Sequence, residues 1–525
     1  MSEFSELLSQ HIHNKNIKTY PLAQYCGLDR SNMYKIINGK RKPTSIEMVA
    51  NMCRFMQLSP NETKEMQEAY VITLIGPENY YRRKNVKLFF EEFRLPTLSF
   101  PAAAYKAEVI PEKDDIILLN TQTEINNALL RILSLEFSRE KGHIRMLIQP
   151  DYSFLIDLLV SEGIGKSNVL IDHIICFDNN TDFSQGKNDY NLNCLKSILP
   201  LYGSIRNYET FYYYDNISSK NDSFTLFPYI IITSEYACLL TADIRKGYIT
   251  STSESLEMFC GIFDDYLKKS SCLLKRIDNL LDQLEYAQNL VNVNMPGYSF
   301  QMTPCLTLFM DAYFADKYVI QDLPNRSAFI ERFVDYVNNM NKNRNTSSMC
   351  SVFSLEGLLR FMETGEIGEY PPNAYNRPEM EDRVNLARQL LQACRTGNYR
   401  MLKNNIGNLD NELFLFISQT RGYLMLNSPV THNLIYLDIE EPGLLFTFFD
   451  FCDNMDDRLF FTKEEMIEQL KMVIEKYQKN KMIFPLREDP QREMYSSFFR
   501  LLLFLYNNPN GRPLICLDAK KNLML

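Results

Sequence analysis

Glycine is scarce, 19 of 525 residues, about half the usual share, which argues against extended glycine-rich phosphate loops. Histidine is rarer still, with five in the chain, and neither a His-Glu-x-x-His nor a Gly-x-Ser-x-Gly sequence occurs. The 12 cysteines run from Cys26 to Cys516 without one C-x-x-C pair. In so long a chain that excludes a zinc ribbon and a disulfide framework. They read instead as small core residues in a reducing cytoplasm. The longest strongly apolar runs, Leu501 to Tyr506 and Gly443 to Phe449, fall far short of the roughly 18 residues that span a bilayer, so no membrane partner is expected. The opening MSEFSELLSQHIHNKN has no basic segment followed by an apolar one, so it does not read as a signal peptide.

What the chain has is apolar material for several cores, 45% of residues, and a length that suggests about three or four domains. Its formal net charge is −9, which as an average argues against a nucleic-acid partner. The average hides a division. Residues 1–68 carry nine Lys/Arg against seven Asp/Glu, leaving 47 against 58 for the rest. Within 20–54 the balance is six basic to two acidic. The acidity belongs to the body and the basic residues cluster in the head.

That head, residues 1–76, predicts five short helices. Phe4, Leu7, Leu8 and Ile12 repeat at helical spacing. Thr19 and Pro21 suit the start of a second helix, which ends at Cys26–Gly27. Asp29 caps a third, Arg30 to Ile37, closed by Asn38–Gly39. Thr44-Ser45-Ile46-Glu47 and Ser59-Pro60-Asn61-Glu62 are capping boxes that open a fourth and a fifth. A tight glycine turn between the second and third helices is a helix-turn-helix layout.

The run from Leu22 to Thr44 resembles the Cro/C1-type (XRE family) helix-turn-helix domain of phage and bacterial repressors. Leu22-Ala23, Gly27, Leu28, the cap Asp29, Met33, Asn38-Gly39-Lys40 and Pro43 all stand at the family's spacing. Asp29 replaces the more frequent Ser or Thr, and Ile37 a frequently acidic residue. The resemblance covers about 70 residues and implies an all-α, five-helix, lambda-repressor-like DNA-binding domain. Met33 and Ile36 face its core, so Arg30, Ser31, Asn32 and Lys35 project from the opposite side of helix three. There they suit base edges in the major groove. Thr19, Asn38, Lys40, Arg41 and Lys42 flank them and suit phosphates. The alternative is that these charges are a solvated helix face.

Gly76–Pro77 breaks the fifth helix, and 77–97 reads as a linker helix with a basic first half, either solvated or touching the DNA backbone. Residues 98–250 alternate strand-like and helical runs, which predicts an α/β sensor-like domain. Across 251–297, apolar residues from Leu256 to Val291 keep spacings of three and four. Such a long amphipathic stretch is either a dimer seam or a helix, with a break near Ser270–Ser271, packed on the α/β domain or its neighbour. Residues 298–525 read as a second mixed α/β domain, with strands that include Leu413 to Ser418 and Leu444 to Phe449. A weak echo between 242–249 and 437–444 suggests duplicated modules or chance.

No catalytic group, metal site or cofactor emerges. Gly163-Ile164-Gly165-Lys166-Ser167 ends like a phosphate loop but lacks its first glycine. The acidic stretches 178–189 and 453–464 fail as calcium loops at Phe183, Met455 and Arg458. His143, His173 and His432 are isolated. The sequence therefore points to a DNA-binding transcriptional regulator. Its expected partners are double-stranded DNA with a palindromic operator, a second copy of the chain, and a small-molecule or peptide effector for the body. An enzyme or toxin–antitoxin effector with a DNA-binding head is the alternative.

Overall fold

The computed structural model describes residues 2–95, 115–179, 189–216, 226–293, 296–343, 348–407, 413–428 and 434–480. The head is five helices: α1 (Glu3–Asn14), α2 (Thr19–Tyr25), α3 (Arg30–Ile37), α4 (Ile46–Phe55) and α5 (Pro60–Ile75). Leu8, Leu22, Ala23, Met33, Val49 and Met52 form its solvent-free centre. The caps follow the expected chemistry with shifts of one residue. Asp29 accepts from the Asn32 amide and Ser59 and Glu62 form a reciprocal box. Ser45 rather than Thr44 caps α4, and Thr19 is the first residue of α2 with Lys18 before it.

Helix α6 (Pro77–Glu92) is not a solvated linker. Its Val86, Phe89 and Phe90, spaced three and one apart, are buried in the largest core together with Phe93. The basic first half drew attention away from that apolar face. Phe90 packs on Phe300 with ring centroids 5.1 Å apart, and Phe89 on Phe448 at 5.4 Å.

The body is built on two mixed sheets. The first uses β1 (Ile116–Leu119), β2 (Gly142–Leu147), β3 (Val169–Asp178), β4 (Tyr208–Asp215), β5 (Tyr229–Ile232), β6 (Ala237–Leu240), β7 (Gly247–Thr250) and β8 (Ser271–Cys272). Helices α7 (Gln122–Phe137), α8 (Ser153–Gly163) and α9 (Tyr190–Ser204) connect its parallel strands, and α10 (Ser253–Leu267) follows β7. The second uses β9 (Leu274–Ile277), β10 (Gly297–Phe300), β11 (Met349–Ser354), β12 (Tyr399–Leu402), β13 (Leu413–Ser418), β14 (Gly422–Asn427) and β15 (Leu434–Ile439). Its helices are α11 (Leu280–Val293), α12 (Ala312–Tyr318), α13 (Arg326–Asn343), α14 (Leu355–Thr364), α15 (Met380–Thr396), α16 (Pro442–Asp453) and α17 (Lys463–Asn480).

The two sheets share one plan. In the first, β2, β3 and β4 are parallel, β5, β6 and β7 continue antiparallel from β2, and β1 closes on β7. In the second, β10, β11 and β12 are parallel, β13, β14 and β15 continue antiparallel from β10, and β9 closes on β15. Strand order and direction therefore repeat over seven strands, with β8 added antiparallel to β4 at the edge of the first sheet, although the 242–249/437–444 echo is not the repeat's register. Residues 241–246 turn between β6 and β7, whereas 437–444 cross from β15 into α16.

Two further expectations change. Residues 251–297 are not one long helix: β8 and β9 interrupt the spacing between α10 and α11. Leu273 and Leu274 are fully buried within the main core, so an apolar pattern that also fits a helix is consumed by strand pairing. Leu444 to Phe449 is helix rather than strand. Glu441 caps it through the amides of Gly443 and Leu444, and Pro442 sits where no amide bond is lost.

Candidate nucleic-acid interface

Helix α3 owes its position to two turns. Gly27 (φ +67°) closes α2 and Gly39 (φ +68°) follows α3, both in the left-handed region that costs a side-chain-bearing residue free energy. Between them Met33 and Ile36 are buried, which turns the other side of the helix outward. Arg30, Ser31, Lys35, Asn38, Lys40, Arg41 and Lys42 are exposed, while Thr19 and Asn32 are half-buried. The predicted residues are thus solvent-facing or half-buried on α3, the loop after it and the start of α2.

They are not all unengaged. Arg41 Nη1 donates to Asn32 Oδ1 at 2.8 Å, and Asn32 Nδ2 donates to Asp29 Oδ2 at 2.7 Å. Asn32 is therefore held from both ends, and Arg41 is drawn toward α3. Lys42 Nζ donates to the Leu74 carbonyl at 3.3 Å. Arg30 lies over the Tyr34 ring, 5.5 Å from its centroid. A hydrogen bond from Arg30, then one from Thr19, holds the Tyr34 phenol below its ordinary pKa.

Tyr34 is 40% exposed and belongs to this surface, yet residue-type reasoning passed over it. The signal was its position four after Arg30, one helical turn along the same face. Tyr20, 56% exposed on α2, accepts from Gln24 Nε2 at 3.0 Å and adds a second exposed ring.

The basic run after the head serves a different purpose. Arg82 Nη2 and Arg83 Nη2 reach Asp450 at 3.1 and 2.9 Å, and Lys84 Nζ reaches Glu68 at 2.8 Å. Arg82, Arg83 and Asp450 are largely buried. These charges clamp α6 to α16 and α5 instead of facing a DNA backbone.

The other chemical candidates resolve into local structure. Gly163 ends α8 and Lys166 pairs with Glu162 at 3.7 Å. His143 Nε2 meets Asp172 at 2.7 Å. His173 is fully buried between the Tyr208 hydroxyl (2.8 Å) and the Ile148 carbonyl (2.9 Å). His432 and most of the stretch 178–189 lie outside the described residues. Among the described residues no group of three or more His, Cys, Asp or Glu is placed to hold a metal ion, and no helix is long and apolar enough to cross a membrane.

No model of a known protein family matches the chain, and no curated protein does. Three solved structures are similar at low level. A polyphosphate kinase from Porphyromonas gingivalis is 11% identical, with 70% of this chain and 56% of that one covered, at a TM-score of 0.19. An archaeal chromatin protein, TrmBL2, whose structure shows a novel mode of DNA binding, is 10% identical over 47% of this chain and 84% of that one, at 0.19. A phosphatidylserine synthase from Haemophilus influenzae is 9% identical over 76% and 98%, at 0.22. The chain thus spans little more than half the length of the kinase. At such TM-scores these likenesses assign it neither fold nor activity.

Proposed function

We propose that the chain is a sequence-specific, DNA-binding transcriptional regulator of the Cro/C1 type, with a reading head (1–76) and a sensing body. The observation that carries this reading is α3: buried Met33 and Ile36 fix it, and Arg30, Ser31 and Lys35 stand exposed on its outer face. Asn32 stands with them as a positioned amide, suited to adenine. Thr19, Asn38, Lys40, Arg41 and Lys42 surround the helix as phosphate ligands. The acidic body is repelled by the phosphate backbone, which leaves DNA binding to the head. The regulator acts in the cytoplasm as a homodimer on a palindromic operator. Support for the dimer is now confined to α10, where Met258, Ile262 and Tyr266, four residues apart, are 54%, 37% and 37% exposed.

Selection of DNA sequences by the full-length chain, with and without cell extract, tests the reading. Enrichment of one motif in two half-sites supports it. Retention of a random pool without enrichment contradicts it.

A further inference from the structure

The repeat of the two sheets exposes a difference between them. On the face of the first sheet that α7, α8 and α9 cover, β2 and β3 carry Ile144, Met146, Ile171 and Ile175, all fully buried. On the corresponding face of the second sheet, β10 and β11 carry Gly297, Ser299, Met349 and Ser351. Three of these four are small where the first sheet has large residues, and α11 and α13 do not close the space. A cavity of about 410 Å³ remains between sheet and helices, within the range of small-molecule sites. Protein interiors are otherwise packed to crystal density, so a missing layer of side chains of this size is a feature of the site.

The walls state what fits. Phe416, Tyr423 and Tyr436, on three adjacent strands, stack as a continuous aromatic ladder. Their ring centroids are 5.2 and 4.8 Å apart and their planes 13° and 11° from parallel. Leu284 and Leu290 of α11 and Met340 of α13 form the facing apolar side. Two charged residues line the space. Arg421 is exposed in the turn between β13 and β14, and its charge bears on Asp438 and Tyr286. Glu369 stands inside, and its hydrogen-bond partners are neutral: Gln301 Nε2 at 3.2 Å and the Thr307 hydroxyl. Ser351 Oγ is buried at the cavity and has no hydrogen-bond partner among the described residues. The hydroxyls of Tyr336, Tyr370 and Tyr436 are pushed well up by burial, with the Glu369 charge contributing to each. Among the described residues Glu369 has no cationic partner at ion-pair distance, and Arg421 is the other charge bordering this aromatic-walled space.

We infer that this cavity binds a small organic cation, an amine or ammonium group on an apolar ring-bearing body. The charge meets Glu369, the body lies on the Phe416–Tyr423–Tyr436 wall, and Ser351 Oγ supplies a further hydrogen bond. An anion would face Glu369 at close range. A neutral apolar molecule would gain the wall but not the charge. That such a ligand is the regulator's signal rests on the DNA-binding reading; that the cavity takes an organic cation does not.

Three isosteric probes test it: diphenylpropylamine, diphenylpropanol and diphenylpropanoic acid, each titrated calorimetrically into the full-length chain. The amine is expected to bind about tenfold or more tighter than the alcohol, and the acid more weakly than either. Glu369→Gln should remove the preference for the amine while leaving the melting curve in place. Ser351→Phe should fill the space and weaken amine and alcohol together, with Ser299→Leu as the milder substitution should the first perturb folding. Equal binding of the three probes, no binding of any, or an amine preference that survives Glu369→Gln overturns the inference. DNA affinity measured in the same samples separates the two readings. Amine binding by a chain that holds no DNA sequence preferentially sinks the regulator and leaves the cation site standing.

Discussion

Arg41 and Asn32 form a hydrogen bond of 2.8 Å that ties the loop after α3 back to the first turn of that helix. With Asp29 on the other side of the same amide, the bond fixes the side chain proposed to face adenine. Arg41 therefore acts as a strut as much as a phosphate ligand, whereas Lys40 has its charge in solvent. Removing one phosphate-binding cation should lower the slope of log affinity against log salt by about 0.9. Lys40→Ala is expected to show that full change with unaltered sequence preference. Arg41→Ala should show a smaller change in slope together with weaker discrimination at the base pair read by Asn32. Fluorescence anisotropy from about 50 to 200 mM salt distinguishes the two.

Asp450 is the hinge pin between α6 and α16. Burial pushes its carboxyl up, but the Arg83 hydrogen bond and the charges of Arg82 and Arg83 outweigh that and hold it below the ordinary value. Asp450→Asn removes the ion-pair partner of two largely buried guanidinium groups and should cost about 3–5 kcal/mol in chemical denaturation. Because the folded carboxyl titrates low, its stabilisation is present above the unfolded value near 3.8. It disappears as pH falls through the folded value. An unchanged denaturation midpoint in the variant would contradict the clamp.

His173 gives the opposite kind of pH signal. Burial pushes it down to about 4 from 6.5, against the raising effect of the Ile148 carbonyl. Between those values the unfolded chain binds a proton that the folded chain does not. Stability should therefore fall as pH drops from about 6.5 towards 4, by about 3 kcal/mol across the window. Urea midpoints measured at steps through that range should slope in wild type, and His173→Gln should flatten the slope.

The dimer proposal now depends on α10 alone. Ile262→Glu places a charge in the middle of the Met258–Ile262–Tyr266 stripe and should convert a dimer to a folded monomer by light scattering. A dimer of unchanged mass would remove α10 from the interface.

The head was legible because its information is local. Caps such as Asp29 and Ser59–Glu62, and turns at Gly27 and Gly39, act within four residues of where they are written. The body was legible only in parts. Leu413 to Ser418 was read to the residue, because a short run of leucine, phenylalanine and isoleucine between polar residues has few other uses. Leu444 to Phe449 was misread, since a helix buried on most of its surface loses the polar stripe that marks its period. The apolar spacing from 251 to 297 fitted a single helix although β8 and β9 divide it. The cavity was invisible in the sequence: Ser351, Tyr423 and Tyr436 converge through the strand order of the second sheet, and Glu369 joins them from the segment between α14 and α15. The repeated sheet plan left no usable trace either, because a buried position accepts several apolar residues at little cost.

The central claim is that α3 reads bases, and Arg30 is its most direct probe. Binding of wild-type and Arg30→Ala chains should be measured on the selected operator and on every single-base-pair variant of it. The account predicts that one base pair, worth about 1–3 kcal/mol to the wild type, becomes indifferent in the variant while preferences elsewhere persist. Equal affinity of the wild type for all sequences, or an unchanged preference profile in Arg30→Ala, would contradict it.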